Sequence, residues 1–308
     1  MSSVVVKGGA SKSPTLSVCV VTYNHEAYLR DCLESIVQQT VNFDYEIIIG
    51  DDASTDHTRE IIHEFKARYP SVVKAVLHER NIGSTANYTA VHAAAKGKYI
   101  AHVDGDDLML PGKLQCQVDY LEAHPRCNVV WHQVTFFNDA GDTCIMPSLA
   151  SSVLNVELYT RDLMLCGSVA AHSSTMYRAE KFFLHGPSTE ELIDWYILVR
   201  LVDDGYGIVL NANLGKYRLH AGGLSSGAKA TFKMRRFFCD SQLKILRLHP
   251  EYSREVAACS LMTTLLDAVF LRKSFVLSLK VFLRARSLPR LRDILKLKGL
   301  YLANRRPV

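Results

Sequence analysis

Residues 15 to 103 alternate short apolar runs with segments whose apolar residues recur at helical spacing. The apolar runs predict four strands, at Leu16–Thr22, Tyr45–Ile49, Val73–Leu77 and Lys98–Val103. The strands are almost continuously apolar and are separated by amphipathic helices, which favours a parallel sheet covered on both faces. The sequence therefore predicts an α/β fold with a mostly parallel sheet flanked by helices.

Three of the predicted strands end in polar residues. Thr22-Tyr23-Asn24 close the first, Asp51 and Asp52 follow the second, and the acidic turn Asp104-Gly105-Asp106-Asp107 follows the fourth. Ligands bind at the carboxyl ends of strands in parallel sheets. Carboxylates this close repel one another unless a cation lies between them, and Mg²⁺ and Mn²⁺ commonly bind together with phosphates. The acidic turn therefore indicates a metal-bridged diphosphate. The alternatives are a polar loop after an edge strand and, for Asp51 and Asp52, a helix-capping loop.

Beyond the acidic turn the patterns are less regular. The later predictions are a strand at Asn128–Phe137, a helix at Glu190–Val202, and short strands at Gly207–Leu210 and Leu214–Leu219. From residue 228 onward almost every segment has a helical pattern, with basic residues among apolar ones. We predict a flexible N-terminus (1–14), an α/β domain (15–227) and a helical, basic C-terminal extension (228–308).

Four sequence blocks resemble, in order, the inverting family 2 glycosyltransferases of the GT-A fold. They are Val20–Asn24, Ile49–Asp56, Asn81–Gly83 with Asn87 leading into the acidic turn, and Tyr217–His220 with Gly222–Ser226 after it. One block alone is a weak signal, but the four together span about residues 15 to 225. The resemblance implies a GT-A fold with a Rossmann-like sheet. It also implies transfer of a sugar from a nucleotide-sugar, expected to be a UDP-sugar, to a glycan or lipid-linked acceptor. The expected pathway is the synthesis of cell-surface polysaccharide or lipopolysaccharide.

The resemblance assigns five residues to nucleotide binding. Thr22, Tyr23 and Asn24 would line the pocket for the base. Asp52 would accept a hydrogen bond from the base ring, and Asn81 would steady the nucleotide or the loop around it. Asn81 could instead simply satisfy the backbone of a turn.

The resemblance also assigns the residues around the diphosphate and the metal. Asp104 would lie near the ribose and the diphosphate, and Asp106 would be the metal ligand. His220 could be a second ligand, and Arg218 would belong to a lid that closes over the diphosphate. The implied cofactor is Mn²⁺ or Mg²⁺, a Lewis acid that neutralises the leaving group.

An inverting transfer also needs a carboxylate that takes the proton from the acceptor hydroxyl. The resemblance places this base at Asp194, inside the predicted helix. The family usually has a second acidic residue where this chain has Ile193, so Glu190 and Glu191 are competing candidates. The alternative is that Asp194 is a solvated turn residue.

Two further residues are expected to contact a sugar. His172 falls where the family positions contacts to the acceptor or the donor sugar, and Trp195 offers an aromatic ring for stacking. The alternative for His172 is a satisfied histidine with a structural role.

The C-terminal segment interleaves apolar residues with many lysines and arginines. Between Ser274 and Arg306 only Asp293 opposes them, which favours a cationic amphipathic surface that binds anionic lipid. The alternative is a helical cap packed on the catalytic domain with a solvated basic face. The cysteines form no CxxC pair, no apolar leader precedes residue 15, and no uncharged apolar run is long enough to span a bilayer. We therefore expect a cytoplasmic protein, peripheral on the inner face of the cell membrane.

Composition and missing motifs narrow the function classes. The net charge of +5 and the pI near 8.7 are too weakly basic to indicate nucleic acid as a partner. A dinucleotide oxidoreductase would need GxGxxG after the first strand, and the chain has His25 and Glu26 there. The remaining alternatives are a sugar nucleotidyltransferase and a catalytically silent nucleotide-sugar-binding protein.

Overall fold

The computed structural model describes residues 13–138, 141–145, 153–184, 193–220 and 227–294. The strands are β1 (Leu16–Thr22), β2 (Tyr45–Asp51), β3 (Val73–Leu77), β4 (Tyr99–Asp104), β5 (Leu108–Met109), β6 (Cys127–Asn138), β7 (Gly141–Ile145), β8 (Met176–Arg178) and β9 (Tyr206–Arg218). The helices are α1 (Leu29–Val37), α2 (Thr58–Arg68), α3 (Ser84–Ala93), α4 (Lys113–Ala123), α5 (Thr160–Cys166), α6 (Asp194–Val202), α7 (Gly227–Leu248), α8 (Ser253–Val269) and α9 (Phe275–Ala285).

These strands form one sheet in the order β3-β2-β1-β4-β8-β6-β9-β5, with β7 paired to β6. The first four strands are parallel, β8 runs antiparallel between β4 and β6, and β6 is parallel to β9. The predicted α/β fold, with a mostly parallel sheet flanked by helices, is confirmed.

Alternation along β1 shows how the sheet is buried on both faces. Val18 and Val20 belong to a core cluster with helices α1, α2 and α4, whereas Cys19 belongs to a second cluster with α3 and α6. Successive side chains of a strand point to opposite faces, so an almost continuously apolar strand requires a cover on each side. In the described part of the chain, both faces of the central strands are thus covered, and the strand ends are where a ligand can reach them.

Strand β9 differs from its prediction. The two short strands predicted at Gly207–Leu210 and Leu214–Leu219 form one strand, Tyr206–Arg218. The polar residues between them continue the ladder because β6 shifts register on either side of Gln133. Asn213 Nδ2 also donates to Thr135 Oγ1 across the two strands, at 2.7 Å. The predicted strand Asn128–Phe137 is confirmed as the central part of β6.

The C-terminal helices pack on the α/β core. α8 lies against α5, α9 lies against α7 and α8, and Val256 and Val281 join the second core cluster. In the described ranges, no helix is both long and apolar enough to cross a membrane. Several predicted features lie outside the described residues: residues 1–12, Glu190 and Glu191, Gly222–Ser226, and the basic tail from 295 to 308.

Candidate active site

The polar ends of β1, β2 and β4 meet at one edge of the sheet. Thr22 pairs with Asp51 in the β1–β2 register, and Val21 pairs with Asp104 in the β1–β4 register. Beyond the strands, the backbone N–H of Asp52 donates to Thr22 O at 3.1 Å. The three polar strand ends identified in the sequence are therefore neighbours in space.

Asp52 holds the loop that precedes α3. Its buried carboxylate accepts hydrogen bonds from the backbone N–H groups of Ile82, at 2.7 Å, and Gly83, at 3.0 Å. Each carboxylate oxygen can accept a further hydrogen bond, so these contacts leave acceptor capacity for a nucleotide base. Asn81, on the same loop, is exposed.

Asn24 and Tyr23, which are also predicted to line the base pocket, differ in their contacts. Asn24 has a φ of +54°, and its Oδ1 accepts from Thr55 N at 2.8 Å. Asn24 therefore ties two loops together, and a left-handed backbone is one that asparagine tolerates well. The Tyr23 side chain is 44% exposed and is available at the edge of the pocket.

Two polar atoms under the acidic turn are buried without a partner in the described part of the chain. They are Thr22 Oγ1 and His25 Nδ1. A Cβ atom on Gly105 would lie 2.9 Å from Thr22 Oγ1 and 3.1 Å from His25 Nδ1. Glycine at this position therefore lets the turn pass closely over both atoms. His25 was not predicted as a site residue.

Asp104 is half-buried and is held on two sides. Ser173 Oγ donates to its Oδ2 at 3.1 Å, and His102 Nε2 lies 3.3 Å from its Oδ1. Burial alone would raise the pKa of Asp104, but His102 and the Ser173 hydroxyl lower it well below its usual range. The carboxylate is therefore charged at neutral pH.

Asp106 and His220 lie together, as the resemblance implied. His220 Nε2 is 2.9 Å from Asp106 Oδ2. Arg218 fixes the backbone beside them, because its Nε donates to Asp106 O at 2.9 Å and its N–H donates to Asp107 Oδ1 at 2.8 Å. Its guanidinium also lies over the ring of Tyr28, 4.6 Å from the centroid. The described contacts of Arg218 thus clamp the acidic turn, and a lid role remains a prediction.

Lys113 is a site residue that the sequence reasoning missed. It is buried at the start of α4, and its Nζ donates to Ser173 O at 2.6 Å. Burial lowers the pKa of Lys113 to about 7, while Asp107, Cys32 and Asp104 act in the opposite direction. A lysine in the first turn of a helix opposes the helix dipole. That unusual position, two residues after Pro111, was the available signal.

A chain of buried aromatic and imidazole groups runs from the acidic turn into the core. His102 Nδ1 lies 3.1 Å from His92 Nε2, and His92 Nδ1 lies 2.6 Å from Tyr177 Oη. Burial and neighbouring His172 lower the pKa of His102 to about 4, so His102 is neutral at pH 7. The signal was spacing, because His102 is two residues before Asp104 and shares its face of β4.

Asp194 is the first residue of α6, and its side chain is 51% exposed. His172 Nδ1 lies 3.6 Å from Asp194 Oδ1, and the His172 ring stacks on Tyr88 with centroids 5.4 Å apart. Since Ser173 binds Asp104, two consecutive residues connect the predicted base to the predicted donor site. His172 Nε2 is buried and has no partner among the described residues.

The prediction that Trp195 stacks on a sugar is wrong. Its side chain is 0% exposed, and its indole Nε1 donates to Leu163 O at 2.8 Å. The ring packs against Phe238 of α7 in the second core cluster. Adjacent residues of a helix do not share a face. In α6 the Trp195 side chain therefore points into the core, while the Asp194 carboxylate points toward solvent.

The described residues offer two places for a cation. One is the predicted pair, Asp106 with His220. The other is His102, Asp104 and His172, whose ligand atoms all lie within 4.8 Å of one another. Carboxylate oxygen and imidazole nitrogen suit divalent metals such as Mn²⁺.

Comparison with known proteins gives this arrangement a family context. The model of the family "Glycosyl transferase family 2" matches residues 17–182. The uncharacterised protein Rv1520 of Mycobacterium tuberculosis is 36% identical over 215 residues, which cover 68% of this chain and 60% of that protein. The aligned part of the chain thus spans less than two thirds of this relative.

Solved structures share the fold at low sequence identity. S. aureus TarS in complex with UDP-GlcNAc has a TM-score of 0.62 at 18% identity, covering 94% of this chain and 88% of that one. The mannosyltransferase PcManGT of Pyrobaculum calidifontis, in complex with GDP-Man and Mn²⁺, has a TM-score of 0.60 at 16% identity, covering 95% and 81%. The resemblance to GT-A glycosyltransferases inferred from the four sequence blocks is confirmed.

Proposed function

The chain belongs to glycosyl transferase family 2, and we propose that it is a glycosyltransferase that transfers a sugar from a nucleotide-sugar to an acceptor hydroxyl with inversion. The proposed donor is a UDP-sugar, and the proposed cofactor is Mn²⁺ or Mg²⁺. One observation carries the proposal: His172 contacts Asp194 while the adjacent Ser173 binds Asp104. The proposed base and the proposed donor-site carboxylate are thus both contacted by one short segment.

The donor site is proposed at the ends of β1, β2 and β4. Asp52 and the exposed Tyr23 flank the pocket for the base, with Asn81 on the adjoining loop, and Asn24 secures that rim. Thr22 lies beneath the turn, and Asp104 faces the ribose and diphosphate. Support comes from the strand register that brings these groups to one edge, and from the solved complexes of TarS with UDP-GlcNAc and PcManGT with GDP-Man.

Asp106 and His220 are the residues proposed to hold the metal, with Arg218 clamping the backbone between them. They fit a divalent cation because a carboxylate oxygen and an imidazole nitrogen lie 2.9 Å apart. Burial and the charges of Asp106 and Asp104 raise the pKa of Asp107, because the three carboxyl groups are crowded, and a cation bound at the turn would offset that repulsion. When bound there, Mn²⁺ or Mg²⁺ supplies a Lewis acid for the leaving diphosphate.

The proposed reaction uses Asp194 as the general base. One Asp194 carboxylate oxygen accepts the proton of the acceptor hydroxyl while the hydroxyl oxygen attacks C1 of the sugar from the face opposite the diphosphate. The bond between C1 and the diphosphate oxygen breaks, and the nucleoside diphosphate leaves with the electron pair. His172 orients the Asp194 carboxylate. A single displacement of this kind inverts the anomeric configuration.

We also propose the setting of the reaction. The acceptor is a glycan or a lipid-linked saccharide of cell-surface polysaccharide or lipopolysaccharide synthesis, and the enzyme works in the cytoplasm at the inner face of the membrane. Residues 15–227 form the catalytic domain, and residues 228–308 form the extension. The exposure of Asp194 supports a large acceptor, since 51% of its side chain is open to solvent.

The experiment measures donor binding and turnover separately. UDP-, GDP- and dTDP-sugars are screened by thermal stabilisation with Mn²⁺, and NMR follows the anomeric configuration of the product. We expect stabilisation by one nucleotide class and an inverted product. Asp194→Asn should retain that stabilisation and lose about 10²- to 10⁴-fold in turnover, the range of general-base catalysis. A retained configuration, or full turnover by Asp194→Asn, would overturn the mechanism.

A further inference from the structure

Exposed apolar side chains concentrate at one end of the C-terminal helices. More than half of the exposed large apolar residues in the described ranges lie between Leu265 and Leu291. Leu271, at the end of α8, is 92% exposed, and Val276 and Leu283, on one face of α9, are 66% and 64% exposed. Contiguous exposed apolar surface of this kind usually marks an interaction site. We call the exposed residues from Val269 to Arg286 the α8–α9 surface.

Basic residues surround these apolar side chains. Lys273, Lys280, Arg284 and Arg286 are exposed on the same segment. From residue 268 to residue 294 the only acidic residue is Asp293, which is buried. Arg272 pairs with buried Asp267 at 3.6 Å, whereas the other basic residues have no acidic residue beside them on this segment. The α8–α9 surface therefore combines apolar side chains with a net positive charge.

The inner face of α9 is anchored while its outer face is open. Ser278, Val281 and Ala285 are buried against α7 and α8. A groove of about 470 Å³ on α9 is lined by Val276, Leu279 and Leu283 together with Lys280, Arg284 and Arg286. The surface is thus a fixed feature of a packed helix.

The backbone at Leu271 supports the same conclusion. Leu271 has a φ of +51° just after the end of α8, in the left-handed region that favours glycine. Leucine adopts this backbone conformation less readily than glycine does, and here 92% of the residue is exposed to solvent. Neither the backbone nor burial explains an apolar residue at this position, whereas insertion into an apolar medium does.

We propose that the α8–α9 surface docks the enzyme on a bilayer of anionic phospholipid. Leu271, Val276 and Leu283 enter the interface, and the surrounding lysines and arginines contact the headgroups. A second copy fits less well, because a symmetric dimer through this surface would bring like charges together. The inference rests on the proposed function for its purpose, which is to bring Asp194 to an acceptor at the membrane.

The test is sedimentation of the full chain with phosphatidylcholine vesicles, with and without phosphatidylglycerol. The protein should bind only the anionic vesicles. Lys280→Gln with Arg284→Gln should weaken binding about 25-fold, since each basic residue contributes about fivefold near such a surface. Leu271→Ser should weaken it about tenfold through lost apolar burial.

A charge-matched control pair lies elsewhere. Lys66 on α2 and Arg126 before β6 are exposed, and Lys66→Gln with Arg126→Gln should leave vesicle binding within twofold. Equal loss from both pairs would overturn the proposal, because the charge alone would then matter and its position would not. Vesicle binding needs no donor, so this result is independent of whether sugar transfer occurs.

Other occupants would give different results. Self-association that Leu283→Ser abolishes, without vesicle binding, would assign the surface to a second copy. Vesicle binding that appears only after removal of residues 295–308 would assign it to that segment. Either result would overturn the proposal.

Discussion

The two halves of the sheet place functional residues in different ways. In β3-β2-β1-β4 every pair is parallel and in continuous register, and the donor-site residues follow directly from the strand ends. In β8-β6-β9-β5 parallel and antiparallel pairs mix, and β6 shifts register against β9 at three points. There the proposed base is carried by α6 and is positioned through His172. Backbone ladders thus position the functional residues of the donor half (β3-β2-β1-β4). Side-chain contacts position those of the acceptor half (β8-β6-β9-β5 with α6).

The buried polar atoms lie in different places in the two halves. In the donor half, the unpartnered Thr22 Oγ1 and His25 Nδ1 lie under the acidic turn. In the acceptor half, Trp131 Nε1, His132 Nε2 and Thr175 Oγ1 are buried without partners in the described ranges. An unsatisfied buried group costs about 1–3 kcal/mol. Both halves therefore carry such a cost, under the acidic turn in the donor half and mainly within β6 in the acceptor half.

Asp106→Asn tests the donor half and should have the largest effect. The neutral amide keeps the size of the side chain but removes the charged oxygen ligand beside His220. We expect turnover to fall about 10³-fold or more, with loss of Mn²⁺-dependent donor binding. Activity against Mn²⁺ concentration and thermal stabilisation by the donor measure this.

The matched control for that prediction is Asp119→Asn, which removes an exposed carboxylate of α4. It should leave both measurements unchanged. If Asp106→Asn kept the wild-type Mn²⁺ dependence, the metal would belong instead at His102, Asp104 and His172. The metal would then bridge the two halves.

Lys113→Met tests the junction of the halves. Lys113 Nζ links α4 to Ser173, whose hydroxyl binds Asp104. Methionine fills a similar volume but leaves the buried Ser173 carbonyl without this donor, so the free energy of unfolding should fall by about 1–3 kcal/mol. Urea denaturation measures this, and Lys66→Met, at an exposed position of α2, is the control. Equal stability of the two variants would show that the junction does not depend on Lys113.

His172→Asn tests the acceptor half. The variant should lower kcat about tenfold to thirtyfold, because a carboxylate at the start of α6 loses the side chain that orients it. Donor affinity should stay within twofold, since Asp104 keeps its bonds to Ser173 and His102. Steady-state kinetics and donor titration separate the two. Weaker donor binding with unchanged kcat would place His172 in the donor half instead.

The donor half could be predicted from sequence because its signals are local. Apolar runs that end in Asp51 and Asp104 specify both a strand and a ligand site, and the parallel register then brings them together. The long strand β9 could not be predicted, because it depends on register shifts in β6, more than 70 residues away in sequence.

Individual side chains of the acceptor half were equally hard to predict. Asp194 and Trp195 are adjacent, and only tertiary packing decides that the carboxylate is exposed and the indole buried. Lys113 was missed because nothing near it in sequence predicts its partner, Ser173, which lies 60 residues further along the chain.

His132→Gln should have the smallest effect at pH 7, and it sharpens the comparison as the pH falls. Burial, with a smaller contribution from Lys113, lowers the pKa of His132 to about 3 from 6.5. Between these values the unfolded chain binds more protons than the folded protein, so the free energy of unfolding falls as pH falls, by up to about 1.4 kcal/mol per pH unit. Urea denaturation from pH 7 to pH 4.5 should therefore show a shallower decline for His132→Gln than for the wild type. The control is His63→Gln, at an exposed position of α2, whose stability should decline with pH as the wild type does. Parallel curves for all three proteins would mean that burial of His132 in the acceptor half does not lower stability at acidic pH.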